Sequence, residues 1–141
     1  MSYDSIDIQY LNSYNDISKL LKEQPLNSIW EDLRLEIPVS FIFMSDNELL
    51  EINRDVLNHD YYTDVITFNY DDEDIEYNEI LISADRIREH STQFNQTLKQ
   101  ETYRICIHGM LHLAGYDDQT PEEKKQMTTL ENHYLKLYCS T

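Results

Sequence analysis

The stretch "TLKQETYRICIHGMLHLAGYDD", Thr97 to Asp118, decides how this chain is read. Thr97 and Gln100 stand three apart, as in a capping box, and a helix begun there runs uninterrupted to Gly115. Within it Tyr103, Ile105, Cys106, Ile107, Met110, Leu111, Leu113 and Ala114 leave almost no polar face, so the spacing predicts a helix buried on most sides. Two histidines, His108 and His112, sit four residues apart on one face of it. Buried imidazoles need partners, because an unsatisfied buried polar group costs roughly 1–3 kcal/mol. A metal ion would satisfy both at once.

Three residues after His112 comes Gly115, which can take the left-handed turn that ends a helix, and three later comes Asp118. The spacing H-x3-H-x2-G-x2-D parallels the zinc-protease pattern H-E-x-x-H-x-x-G-x-x-H, with Gly109 for the glutamate and Asp118 for the third histidine. Two imidazoles and a carboxylate make a sound zinc set, with a fourth position left for water. The plainer alternative is a helix with two satisfied core histidines and a polar turn after it. In the proteases the glutamate is the general base, so Gly109 argues against a peptidase. Phosphodiester cleavage tolerates its loss better, since an ion can stabilise phosphoryl charge directly. No side chain stands out as the base, and the expected reactive group is water at the metal.

Outward from this helix the elements alternate. "SIDIQYLN" reads as a first strand, and "NDISKLLKEQPLNSIWEDLRL" as helical, interrupted at Pro25. "EIPVSFIFMS" is a β-branched and aromatic strand. "SDNELLEINRDVL" opens with the capping pair Ser45 and Glu48. "TDVITFNY" and "NEILIS" are strands joined by the acidic run "YDDEDIEYNE", an expected exposed hairpin loop. "ADRIREHSTQFNQ" is helical, and "TPEEKKQMTTLENHYLKLY" has Thr120 and Glu123 as a third capping pair, with Pro121 first in the helix. The order βαβαββααα predicts an α+β fold: a single domain over 1–141, a four-stranded mixed sheet packed with helices, and the metal site on a buried helix of the C-terminal half.

Composition narrows the function. There is no apolar run long enough to span a membrane, and "MSYDSIDIQYLN" lacks the features of a signal peptide, so a cytoplasmic protein with no membrane partner is expected. Two cysteines, Cys106 and Cys139, make no disulfide framework. The net charge of -16 repels nucleic acid over most of the surface. Any RNA contact must therefore use a local basic cleft, built from residues such as Arg54, Arg86, Arg88 and Arg104. His90 and His133 read as surface residues of helices.

The run His108–Asp118 resembles the signature H-G-x-L-H-L-x-G-Y-D-H of the YbeY endoribonucleases, or rRNA maturation factors, with ten of eleven positions in agreement. "INRDVLNHDYYTDVITF" is similar to a second family segment through Asn53, Asp60, Thr63, Asp64, Val65 and Phe68, and Asn78, Glu79, Ile80, Ile82 and Ser83 match a family strand. The resemblance covers nearly the whole chain. It implies a cytoplasmic, zinc-dependent endoribonuclease with one Zn2+ per chain, acting on the 3′ end of small-subunit ribosomal RNA and in ribosome quality control. The implied partners are ribosomal RNA, the small ribosomal subunit and ribosome-associated proteins. The implied metal ligands are His108, His112 and Asp118, with Asp117 in support.

Two positions depart from the family. Asp118 replaces a histidine, which lowers the net positive charge at the metal. Leu57 falls where the family has an arginine facing the substrate, so Arg54, His59, Thr63 and Asp64 are the substrate-cleft residues expected here. A second function fits these departures, a ribosome-associated assembly factor with a structural zinc and little cleavage activity.

Overall fold

The computed structural model describes residues 6–10, 17, 19–57, 65–68, 78–93 and 95–138, with only the backbone of Tyr10 and Leu57. His59, Thr63, Asp64, Cys139 and most of the acidic run lie outside these residues. Four strands form one sheet: β1 (Ile6–Tyr10), β2 (Val39–Met44), β3 (Val65–Phe68) and β4 (Asn78–Ser83), in the order β1-β2-β4-β3. β1, β2 and β4 are parallel, while β3 runs antiparallel to β4. The helices are α1 (Glu23–Asp32), α2 (Asp46–Leu57), α3 (Ala84–Gln93), α4 (Leu98–Leu113) and α5 (Pro121–Tyr138). The sheet is mixed and the element order βαβαββααα is the one the sequence predicts.

Side chains alternate across the two central strands, as the pleat requires. Phe41, Phe43, Ile80 and Ile82 enter the main core with residues of α1, α3, α4 and α5, including Leu26, Ile29, Ile87, Cys106, Ile107, Met110 and Tyr134. The opposite face sends Met44, Leu81 and Ile66 into a smaller core closed by Leu49 of α2. Both faces of β2 and β4 are thus covered, which is why these strands read as almost continuous apolar runs. Each fully buried Phe or Ile contributes roughly 1.5–3 kcal/mol. α4 packs on β3 and β4 and touches α1, α3 and α5.

All three capping boxes form. Ser45 and Glu48, Thr97 and Gln100, and Thr120 and Glu123 each exchange side-chain and backbone hydrogen bonds of 2.9–3.3 Å.

Two helix ends correct the sequence reading. Pro25 does not interrupt a helix; it lies in the first turn of α1, which begins at Glu23. A proline there loses nothing, because first-turn N–H groups have no intrahelical acceptor. The same helix stops at Asp32, short of Leu35, because Arg34 takes a left-handed conformation (φ 58) and Leu35 N–H bonds back to the Trp30 carbonyl at 3.1 Å. Likewise α3 stops at Gln93, where Asn95 is left-handed (φ 52) and Gln96 N–H bonds to the Ser91 carbonyl. Both are Schellman-type ends without a glycine.

Candidate metal centre

α4 carries its histidines to a point where the helix emerges from the core. Tyr103, Cys106, Ile107, Met110 and Leu111 are buried, whereas the His108 and His112 side chains are 21% and 25% exposed. The histidines are therefore at the rim of the core, open on one side, and not sealed within it as the apolar run suggests.

Gly115 is left-handed (φ 100). Its N–H bonds to the His112 carbonyl and the Tyr116 N–H to the Leu111 carbonyl, both at 3.0 Å, the paired bonds of a Schellman motif. Tyr116 packs against the main core and pins the turn. The chain then returns Asp118 to the histidines, with Oδ2 lying 3.4 Å from His108 Nε2 and 3.6 Å from His112 Nε2. Asp117, its neighbour, is exposed.

The two imidazole Nε2 atoms are 3.0 Å apart, and the ring planes are nearly perpendicular at 80°. Among the described residues His108, His112 and Asp118 are the group of three side chains able to share one ion. Zinc bound tetrahedrally at 2.0–2.1 Å puts its ligand atoms roughly 3.3 Å apart. The three observed separations, 3.0, 3.4 and 3.6 Å, bracket that value, so these donors fit such an ion.

The sequence reading missed the residue beneath the site. Glu131 of α5 places Oε2 2.7 Å from His108 Nδ1, and its Oε1 accepts from Arg104 Nη1 at 3.0 Å. The Glu131 side chain is 9% exposed. Arg104 also donates to Asn132 at 2.8 Å and lies 3.9 Å from Glu101. A signal was present: Met127, Glu131 and Tyr134 form the buried stripe of α5, and an acid on such a stripe needs a partner.

Beside His108 a cleft of about 560 Å3 opens between α3, α4 and α5, lined by His90, Glu101, Arg104, Glu131 and Asn132 among others. His90 is half-buried in this wall, more enclosed than a surface histidine. Of the four arginines expected near the metal, Arg104 alone is in the lining. Arg86 bonds Asp46 at 3.1 Å where α2 and α3 begin. Arg54 and Arg88 are exposed. The wall mixes one arginine with carboxylates; it is neither basic nor uniformly acidic.

Fold and site together define a small α+β protein with a candidate metal centre at the end of its central helix. The family model described as Endoribonuclease YbeY matches residues 5–138, and the chain belongs to that family. It is 44% identical over 99 residues to an Endoribonuclease YbeY of Phocaeicola vulgatus, covering 70% of this chain and 72% of the relative. A relative of the same name from Cytophaga hutchinsonii is 41% identical over 116 residues, covering 79% and 80%. A solution structure of a Thermotoga maritima protein superposes with a TM-score of 0.65 at 28% identity, over 96% of this chain and 92% of that one. No helix among the described residues is long and apolar enough to cross a membrane.

Proposed function

We propose that this chain is a zinc-dependent endoribonuclease that matures ribosomal RNA at the 3′ end of the small-subunit transcript and takes part in ribosome quality control. The observation that carries the reading is the convergence of His108 Nε2, His112 Nε2 and Asp118 Oδ2 within 3.0–3.6 Å, in a chain whose relatives are named endoribonucleases. His108 and His112 would hold the ion from one helix face, and Asp118 from the turn after it. One zinc bound there supplies positive charge for a phosphodiester and makes a nearby water more acidic. Gly109 offers no side chain that could act as a base, so a proton acceptor has to come from water, the substrate or another part of the chain. The protein acts in the cytoplasm as one domain, with ribosomal RNA and the small subunit as partners.

The test is cleavage of structured ribosomal RNA by the purified protein, with a chelator arm and a His108→Ala arm. Cleavage that both arms abolish supports the reading, and no cleavage by a zinc-loaded, folded protein removes it. The net charge of -16 and the engagement of Arg104 by Glu131 favour a second reading, a ribosome-associated assembly factor with structural zinc. That reading predicts binding to the small subunit without cleavage.

A further inference from the structure

We infer that Glu131 is a positioning residue for His108, anchored in turn by Arg104. The inference deepens the zinc reading and rests on it for function, but its geometry stands on its own. Three links run from α4 to α5 and back: Arg104 Nη1 to Glu131 Oε1 at 3.0 Å, Glu131 Oε2 to His108 Nδ1 at 2.7 Å, and His108 Nε2 to the point shared with His112 and Asp118.

A carboxylate oxygen can only accept, so Nδ1 carries a proton in its bond to Glu131. Nε2 is then the nitrogen turned toward His112 and Asp118, at 3.0 and 3.4 Å, and supplies its lone pair there when an ion is bound. Without that hydrogen bond the proton could sit on either nitrogen and the ring could turn about its Cβ–Cγ bond. Each alternative removes the lone pair from the place where the other two donors meet. The second oxygen of Glu131 needs its own partner at this burial, and Arg104 supplies it, while Asn132 accepts from the other end of the guanidinium at 2.8 Å. Arg104 and His108 are one turn apart on α4, so the anchor and the ring it serves share a single rigid element. Arg104 in this account is a structural cation, engaged with Glu131 and Asn132 even though it lines the cleft.

The experiment uses the full chain and two variants, Glu131→Ala and Glu131→Gln, with two readouts. Nitrogen-15 spectra of histidine-labelled, metal-free protein report which nitrogen of His108 bears the proton. Competition with a chelator reports zinc affinity. The proton is expected on Nδ1 in the parent and in Glu131→Gln, whose amide oxygen still accepts, and that preference is expected to be lost in Glu131→Ala. Zinc affinity should fall about 10–100-fold in Glu131→Ala, the usual effect of losing a carboxylate behind a ligating histidine, and less in Glu131→Gln. A folded Glu131→Ala chain with the parent's zinc affinity overturns the inference. So does a parent His108 whose Nδ1 carries no proton. If Glu131→Ala does not fold, the parent spectrum still decides. If the parent binds no zinc, the metal reading fails and the tautomer measurement continues to test the role of Glu131.

Discussion

Gly109 lies directly over Ile80 of β4: a Cβ built on it would stand 2.8 Å from both Cδ1 and Cγ2 of that side chain. The glycine in the place of a protease's glutamate is therefore a packing requirement, which lets the helix bearing the histidines settle on the sheet. Gly109→Ala should gain up to about 1 kcal/mol in helix propensity and lose about 1–3 kcal/mol to overpacking, for a net loss in chemical denaturation. In an Ile80→Ala background the added methyl fills space, and the penalty should vanish. Additive costs would show that the two residues do not constrain each other.

Gly115 is the opposite case. Nothing lies within 4 Å of a Cβ built there, yet its φ is +100. Gly115→Ala should thus lose about 1–2 kcal/mol from backbone strain alone. The loss should be smaller for Gly115→Asn, which tolerates this conformation better. Thermal unfolding of metal-free protein measures both; equal stability of all three chains would contradict the account.

Arg34 occupies the same kind of helix end without being glycine. Arg34→Gly should raise stability by up to about 1 kcal/mol, the strain relieved less the extra freedom gained by the unfolded chain. A denaturant midpoint shifted downward would count against it.

Tyr134 donates to Asp32 at 2.6 Å, joining α5 to α1. Burial first, and then the bond to Asp32, holds its hydroxyl well above the ordinary phenol value of 10.0. A folded-state value raised in this way adds stability that is complete below the unfolded value and is lost as pH rises beyond it, because the unfolded chain then releases the proton first. Tyr134→Phe should lose about 1 kcal/mol near neutrality, modest because Asp32 is itself exposed. The gap between parent and variant should narrow above pH 10. A gap that widens there would reverse the assignment.

Much of this was legible in the sequence, for local reasons. The capping pairs are three-residue signals, and Thr97 with Gln100 fixes the start of α4 as surely as Gly115 fixes its end. Arg34 and Asn95 end their helices where no glycine marks the place, so α1 and α3 proved shorter than their patterns. The positions of His108, His112 and Asp118 follow from one helix and one turn, and their approach could be read from spacing. The pairing of His108 with Glu131 spans 23 residues and two helices, and depends on how α5 packs on α4. Spacing carries no trace of that; only a lone acid on an apolar stripe hinted at it.

The central claim is that His108, His112 and Asp118 hold one zinc ion, and zinc affinity by chelator competition tests it most directly across Asp118→Ala, Asp118→His and Asp117→Ala. The account predicts that Asp118→Ala weakens binding by more than the roughly 10–100-fold typical of a lost supporting residue. Asp118→His should retain the metal, and the exposed Asp117 should be replaceable with a milder effect. Loss of zinc in Asp117→Ala together with its retention in Asp118→Ala would contradict the site as assigned here.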